Sequence, residues 1–212
     1  MLASWIVAAM PESDRIRFSN AQEKWATPID CDGFIAEIAG WVDSSPRKAA
    51  ILGLWRDWSS YQQSMQLEHD TFAASKSENP ILLASVIMKI NESDPRILAA
   101  EAKVLRVSDA RLRPACSPIF IARQVETWNP ALQTAHGMMG ALLCHVDRER
   151  DRYLNVSFWR TREDMDDFEQ RIIPAISEQV GLREYIETVI AYHVRLDSAR
   201  IVVAPIRKNS DE

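Results

Sequence analysis

One segment of the sequence occurs twice, and this repetition constrains the fold more than any other feature. Residues 33–56 align without a gap to residues 137–160 at an offset of 104 positions. Average composition would give roughly one or two identities over such a window. Five pairs are identical here: Gly33 and Gly137, Val42 and Val146, Asp43 and Asp147, Trp55 and Trp159, and Arg56 and Arg160. The chain is therefore predicted to contain two copies of one structural unit.

Hydrophobic periodicity predicts the same order of elements in both copies. The first copy is predicted to have strands at residues 2–9, 34–42, 48–55 and 81–90, and helices at 13–28 and 57–75. The second is predicted to have strands at 103–107, 138–146, 152–159 and 187–196, with a second helix that is interrupted at Pro174. Strand, helix, strand, strand, helix, strand is the ferredoxin-like order, so the predicted class is α+β.

A four-stranded sheet with helices on one side leaves its other face bare, yet both faces of these strands are apolar. Two repeats can bury both bare faces by packing sheet to sheet, as an intrachain dimeric α+β barrel, or pseudo-dimer. The predicted boundaries are 1–92 for the first ferredoxin-like repeat, 93–101 for a linker, 102–198 for the second repeat and 199–212 for a C-terminal extension. Residues 201–206 of this extension can add an edge strand or clasp the other half of the chain. Further homo-dimerisation is left open.

Composition argues against several classes of partner. The chain has 25 Lys and Arg against 30 Asp and Glu, scattered along its length, so no basic stripe predicts a nucleic-acid partner. The N-terminal apolar run is too short to span a membrane and lacks a basic region before it, so we expect neither a membrane partner nor a signal peptide. Cys31, Cys116 and Cys144 are odd in number and widely spaced, which favours reduced thiols and a cytoplasmic protein.

Several short motifs in the first half carry a family resemblance. They are W-I-V near the N-terminus, A-Q-E-K-W at 21–25, G-F-I and G-W in the first hairpin, I-L-G-L-W at 51–55 and E-H-D at 68–70. With these motifs the chain resembles the uncharacterised, bacterial YdbC-like family, a branch of the dimeric α+β barrel superfamily. That superfamily includes antibiotic-biosynthesis monooxygenases and haem-degrading monooxygenases. The resemblance covers roughly the first 90 residues, and it implies the fold more than the chemistry.

The haem-degrading relatives use an Asn on the first strand, a Trp inside the second helix and a His further on. This chain has Ala8 or Ala9 on the first strand, no Trp in the middle of the second helix, and His69 several residues too early. Haem is therefore not expected, and no cofactor or metal site is predicted. No G-x-S-x-G, G-x-G-x-x-G, P-loop or H-E-x-x-H motif occurs either.

Polar residues on apolar faces of the first half are the first candidates for a site. His69 lies on the apolar face of its predicted helix with Asp70 beside it, and a buried His next to a carboxylate can act as a general base. A structural histidine bonded to a strand end is the alternative. Glu37 and Trp41 share one face of an apolar strand, so they are predicted to line a pocket, with a structural salt bridge and core packing as the alternatives.

The second half offers three further pocket candidates. His145 stands at the repeat position of Trp41, His193 lies on the last strand, and Asn155 replaces Ile51 in the hairpin. Each histidine has the alternative of being a satisfied sheet residue. The replacement of Ile51 by Asn155 indicates that the halves have diverged in polarity, so one half can bind a ligand while the other supports it.

Two functions follow from these candidates. The first is a cofactor-independent, monooxygenase-like enzyme that acts on a small apolar or aromatic molecule, with His69 as the base. The second is a non-catalytic module that binds or senses a small molecule. A cavity that holds His69 and a second ionisable group would favour the enzyme, whereas a solid interior would favour the second function.

Overall fold

Eight strands make up the frame of the molecule. The computed structural model describes residues 1–9, 32–45, 47–72, 81–91 and 93–205, and within these ranges the side chains of 66–72 and 199 are not described. The strands are β1 (Leu2–Ala9), β2 (Phe34–Val42), β3 (Lys48–Trp55), β4 (Leu82–Ile90), β5 (Val104–Leu112), β6 (Met138–Val146), β7 (Arg152–Trp159) and β8 (Ile186–Val203). The predicted bounds of β1, β2, β3, β6 and β7 are confirmed, and β5 and β8 are longer than predicted.

Short helices cover the outside of the strands. They are α1 (Trp58–Phe72), α2 (Pro95–Glu101), α3 (Ser117–Arg123), α4 (Asn129–Thr134), α5 (Arg162–Asp167), α6 (Ile173–Gln179) and α7 (Leu182–Tyr185). The helix predicted at 13–28 lies outside the described residues. None of the described helices combines the length and the apolar composition that a membrane crossing requires.

Two π-helical turns interrupt the helical layer of the second half. The turn Gln124–Trp128 joins α3 to α4, and the turn Phe168–Ile172 joins α5 to α6. A proline stands two residues after each turn, Pro130 in one case and Pro174 in the other. Because proline lacks an N–H group and its ring crowds the carbonyl four residues earlier, it favours a wider turn at this point. The interruption predicted at Pro174 is confirmed.

The strands close into a barrel in the order β1-β3-β2-β8-β5-β7-β6-β4. The first half contributes β4-β1-β3-β2 and the second contributes β8-β5-β7-β6, so the two halves follow the same internal order. The halves join where β2 pairs with β8 and where β4 pairs with β6. Residues 201–203 continue β8 and pair with β2, inside the closed sheet. The predicted α+β class and the dimeric α+β barrel within one chain are confirmed.

The two hairpins repeat each other down to single hydrogen bonds. Gly33 and Gly137 both adopt a positive φ, of 85° and 70°, which glycine reaches without strain. The backbone N–H of Arg56 donates to the carbonyl of Gly33 at 2.7 Å, and that of Arg160 donates to Gly137 at 2.9 Å. A register shift follows the first residue of β2 and of β6 alike. Residues that are 104 positions apart in these hairpins are therefore equivalent in structure as well as in sequence.

The interior of the barrel is a packed apolar core. Each strand alternates, so every second side chain points inward. The largest buried side chains of this core come from both halves and include Trp5, Ile38, Leu52, Leu54, Leu105, Leu142, Leu154 and Phe158. The outward faces of the strands form separate apolar clusters with the helices of each half. A functional site therefore has to lie outside the core, between a sheet and its helices, or at the rim.

Candidate active site

A polar row crosses the outward face of three neighbouring strands in the second half. Arg106 and Ser108 on β5 alternate with Leu105 and Val107, which point into the barrel core. The register places Arg106 between Ser157 of β7 and His193 of β8. Ser108 pairs with Asn155 of β7 in the same way. These side chains lie on the face of the sheet that the helices of the second half cover; the contact region between sheet and helices is called the sheet–helix cleft.

The helical layer adds one polar side chain from each π-helical turn. Glu169 comes from the second turn and Gln124 from the first. The amide of Asn155 donates to Oε1 of Gln124 at 3.3 Å. Because π-helical turns change the direction of side chains and recur at functional sites, their use here favours a functional role for the cleft.

Glu169 is the centre of the cluster. Its Oε1 atom accepts a hydrogen bond from Nε of Arg106 at 2.6 Å and lies 2.8 Å from Nε2 of His193. The side chains are mostly buried, with 13% of Arg106 and 22% of both Glu169 and His193 exposed. Burial alone would raise the pKa of Glu169, but the hydrogen bonds from His193 and Arg106 outweigh burial and hold this pKa at about 2. Glu169 is therefore ionised at neutral pH.

The ionised carboxylate fixes the tautomer of His193. A carboxylate without a proton can only accept hydrogen bonds. Nε2 of His193 therefore carries the proton in its contact with Glu169, and in the neutral ring the lone pair is on Nδ1. This arrangement leaves Nδ1 as the basic nitrogen, oriented by the carboxylate.

The first half reaches the rim of this cleft through Asp43. Its backbone N–H donates to the carbonyl of His193 at 2.9 Å, and its carboxylate pairs with Nη1 of Arg162. Nε of Arg162 donates to Asp166 at 2.8 Å, and the charge of Arg162 also acts on Glu169. The site therefore lies next to a seam between the two halves.

The structure brings two of the predicted pocket residues into this cluster and leaves a third elsewhere. His193 and Asn155 are in the polar row. Nε2 of His145 instead lies 3.0 Å from the carbonyl of Arg150 at the end of the β6–β7 hairpin, and its ring packs 5.0 Å from that of Tyr153.

The first-half candidates do not join the cluster. Glu37 and Trp41 are half-buried on the outward face of β2. The guanidinium carbon of Arg200 lies 4.8 Å from the ring centre of Trp41. His69 and Asp70 are in α1, and their side chains are outside the described part of the structure. Their roles stay predictions.

No sequence pattern predicted a role in the site for five of its residues, Arg106, Ser108, Gln124, Ser157 and Glu169. The sequence did contain a hint for Arg106 and Ser108. Both faces of each sheet were expected to be buried, so polar residues that alternate along β5 had to lie beneath either the helices or the other half. No comparable signal existed for Gln124 and Glu169, because their placement depends on the π-helical turns. Among the described side chains, no group of three His, Cys, Asp or Glu residues is arranged to hold a metal ion.

Comparison with solved structures identifies the class of fold. A candidate monooxygenase from Fusobacterium nucleatum superposes with a TM-score of 0.75 at 9% identity, covering 95% of this chain and 94% of that one. A candidate monooxygenase from Lactobacillus acidophilus gives 0.72 at 9% identity, with 95% of each chain covered. An anthrone oxidase-like protein gives 0.69 at 10% identity, covering 100% of this chain and 96% of the other. The chain has the monooxygenase-like, dimeric α+β barrel fold.

Sequence comparison identifies the relatives of the first half. Residues 2–88 match a domain of unknown function, DUF4937. The chain is also 24% identical over 97 residues to the uncharacterised protein YdbC of Bacillus subtilis (strain 168), which covers 45% of this chain and 82% of that protein. The resemblance to YdbC-like proteins is confirmed. The residues of the polar cluster lie beyond the stretch that matches the domain.

Proposed function

We propose that this chain is a cofactor-independent, monooxygenase-like enzyme whose active site is the sheet–helix cleft of the second half. The observation that carries the proposal is the hydrogen-bonded pair of His193 and Glu169, in which an ionised carboxylate leaves Nδ1 of the imidazole as a base. An oriented imidazole of this kind is the group that most often performs general base catalysis in proteins.

The surroundings of His193 favour an apolar substrate. Val189 and Ala191 lie on the same face of β8 as His193, at the periodicity of two residues that a strand gives. Ala191 is exposed, and Val189 is 50% exposed. A small aromatic molecule can therefore lie along this apolar strip and present an acidic C–H or O–H group to His193.

The chemistry needs only the substrate and dioxygen. His193 takes a proton from an activated C–H group, and the resulting carbanion or enolate supplies the electrons that form a C–O bond with dioxygen. The peroxide anion that forms takes up a proton from the imidazolium, and the resulting hydroperoxide then loses water to leave a ketone. For an anthrone, one dioxygen molecule is consumed and one anthraquinone and one water are formed, so no external reductant is required.

Oxygen uptake with anthrone tests this proposal. We expect wild-type protein to accelerate dioxygen consumption, with anthraquinone formed in a one-to-one ratio. His193→Gln should lower the catalysed rate by about 100-fold or more, as expected for the loss of a general base. His145→Gln is the matched control and should retain the rate, because His145 lies outside the cluster. An equal rate in wild type and His193→Gln, or no acceleration by the wild type, would contradict the proposal.

A non-catalytic binding module is the second candidate. The pairing of Arg106 with both Glu169 and Ser108 in the free protein favours it, since a polar network whose charges are paired can also stabilise a binding site without reacting. Binding of anthrone without oxygen uptake would support this candidate.

Other expectations from the sequence stay predictions. These are the base role of His69, the pocket roles of Glu37 and Trp41, the domain boundaries at 92 and 102, the cytoplasmic location and further homo-dimerisation. Duplication of one ancestral unit is a proposal that the shared hairpin geometry supports.

A further inference from the structure

Arg106 uses only part of its hydrogen-bonding capacity within the cluster. Nε donates to Glu169 and Nη1 donates to Oγ of Ser108. Among the hydrogen bonds of the described residues, none is donated by Nη2. A guanidinium presents five N–H groups in a rigid planar fork, so the position of Nη2 is fixed by its two bonded neighbours. The cleft therefore holds a preoriented donor beside the base.

The charges around this donor nearly cancel. Arg106 is compensated by Glu169, and Arg162 by Asp43 together with Asp166. A ligand with a permanent negative charge would meet these carboxylates and gain little net attraction. A neutral ligand meets no such repulsion, and it acquires charge only when His193 has removed its proton.

We propose that Nη2 of Arg106 stabilises the oxyanion that develops on the substrate, and that the site therefore takes neutral phenols or enolisable ketones in preference to carboxylates. This inference rests on the proposed function, because it takes His193 as the base. Interactions that strengthen only as charge develops lower the barrier without tightening the ground state. The O–H or C–H proton goes to Nδ1 of His193, and the electron pair it leaves is delocalised onto the oxygen that Arg106 holds.

Ionisation of bound 2-naphthol tests the role of Arg106 directly, since neutral naphthol and naphtholate absorb at different wavelengths. In the wild-type protein we expect the pKa of the bound naphthol to fall by about one unit, the low end of the effect of a nearby opposite charge, because Glu169 compensates part of it. Arg106→Gln should abolish the shift, and Arg106→Lys should restore part of it. Ser4→Ala is the matched control, because Ser4 stands at the equivalent position of the first half.

A second probe tests the substrate class. We expect 2-naphthoate, which has the same ring system and a permanent charge, to bind at least tenfold more weakly than 2-naphthol to the wild-type protein. Equal or tighter binding of 2-naphthoate would overturn the proposed preference for neutral substrates over carboxylates. Thermal unfolding and near-UV circular dichroism of each variant establish that it is folded.

The outcomes separate this inference from the proposed function. An unshifted pKa of bound naphthol in the wild type, an equal shift in Arg106→Gln, or no binding of naphthol overturns the role of Arg106, while oxidation of anthrone that depends on His193 still supports the enzyme. If anthrone is not oxidised but the pKa of bound naphthol is still lowered in a way that depends on Arg106, the proposed enzyme activity is wrong and the contact between Arg106 and the oxyanion is supported.

Discussion

The region between the sheet and its helices is polar in the second half of the molecule, whereas the equivalent region of the first half is apolar. Strand register and the offset of 104 positions define six equivalent pairs. With the second-half residue first, they are Arg106 and Ser4, Ser108 and Ile6, Asn155 and Ile51, Ser157 and Gly53, His193 and Leu83, and Glu169 and Met65. In the first half, Met65 and Leu83 pack in a cluster with Trp55 and Tyr61. One fold therefore supports an apolar and a charged version of the same interface.

The two halves also differ in the hydrogen bonding of the tryptophan that ends each hairpin. Nε1 of Trp159 donates to Oγ of Ser157 at 2.9 Å. In the described residues around Trp55, by contrast, its buried Nε1 finds no acceptor, because Gly53 stands where the other half has Ser157. An unpaired buried N–H group costs free energy. The scaffold tolerates either state, so a hydroxyl at the position of Ser157 is not required for the fold.

The largest expected effect concerns a charged pair that also has no counterpart in the first half. Asp109 binds Arg152 through two hydrogen bonds of 2.8 and 2.6 Å, and it is only 6% exposed, whereas its equivalent is Val7. Asp109→Asn should lower the free energy of unfolding by about 3–5 kcal/mol, because it leaves a buried guanidinium without its main partner. Urea denaturation measures this loss.

A double variant is the control for that prediction. Asp109→Val combined with Arg152→Leu removes both charges, and we expect a stability near that of the wild type. A loss below about 1 kcal/mol in Asp109→Asn would show that the pair contributes little, and would remove one contrast between the halves.

An intermediate effect is expected for Glu169, whose ionisation makes the free energy of unfolding depend on pH. Its pKa is about 2 in the folded protein against an ordinary 4.5, so its stabilising contribution is present above pH 4.5 and is lost as the pH falls towards 2. Lowering this pKa by about 2.5 is worth about 3.5 kcal/mol at 1.4 kcal/mol per pKa unit, and solvent screening of this partly exposed side chain reduces the contribution to about 2–3 kcal/mol. Glu169→Gln should remove this part of the acid dependence, measured by urea denaturation between pH 5 and pH 2, whereas Met65→Leu in the first half should leave it unchanged. Parallel curves for wild type and Glu169→Gln would contradict the charge network.

The smallest effect is expected when Ser157 is replaced by glycine, the residue at the equivalent position of the first half. Ser157→Gly should cost about 1–2 kcal/mol, from the lost bond to Trp159 and the added flexibility of glycine. Ser157→Ala should cost about 1 kcal/mol, because it removes the hydroxyl that accepts from Trp159 and donates to the carbonyl of Arg106 without adding backbone flexibility. Thermal unfolding followed by tryptophan fluorescence measures both values. Unchanged stability in Ser157→Ala would show that the unpaired Trp55 in the first half carries no penalty either.

Most of the fold could be predicted from the sequence, because local patterns determine it. Apolar runs on either side of a polar turn, between Gly33 or Gly137 and a Trp-Arg pair, defined both hairpins to the residue. The end of β5 was missed because Asp109 points inward and breaks the apolar pattern, and only its partner Arg152 from β7 makes that burial tolerable. The full length of β8 was missed because its last residues are held by β2 of the other half.

The candidate site was predicted only in part, since it depends on contacts between distant segments. His193 and Asn155 were visible as polar residues in apolar strands. Glu169 looked like a surface residue of an amphipathic helix, and its approach to His193 depends on the π-helical turn before Pro174. Arg106 lies on a strand whose two faces were both expected to be covered, but no sequence pattern identified Glu169 as its partner.

Counting bound ligand per chain tests most directly the claim that only the second half holds a site. Isothermal titration with 2-naphthol should give one molecule per chain in the wild type. The triple variant Arg106→Ser, His193→Leu and Glu169→Met gives the charged cluster of the second half the residues that the first half has at these three positions, and it should bind none while remaining folded. Two molecules per wild-type chain, or one molecule still bound by the variant, would contradict the account and would direct attention to the first half, where α1 carries His69.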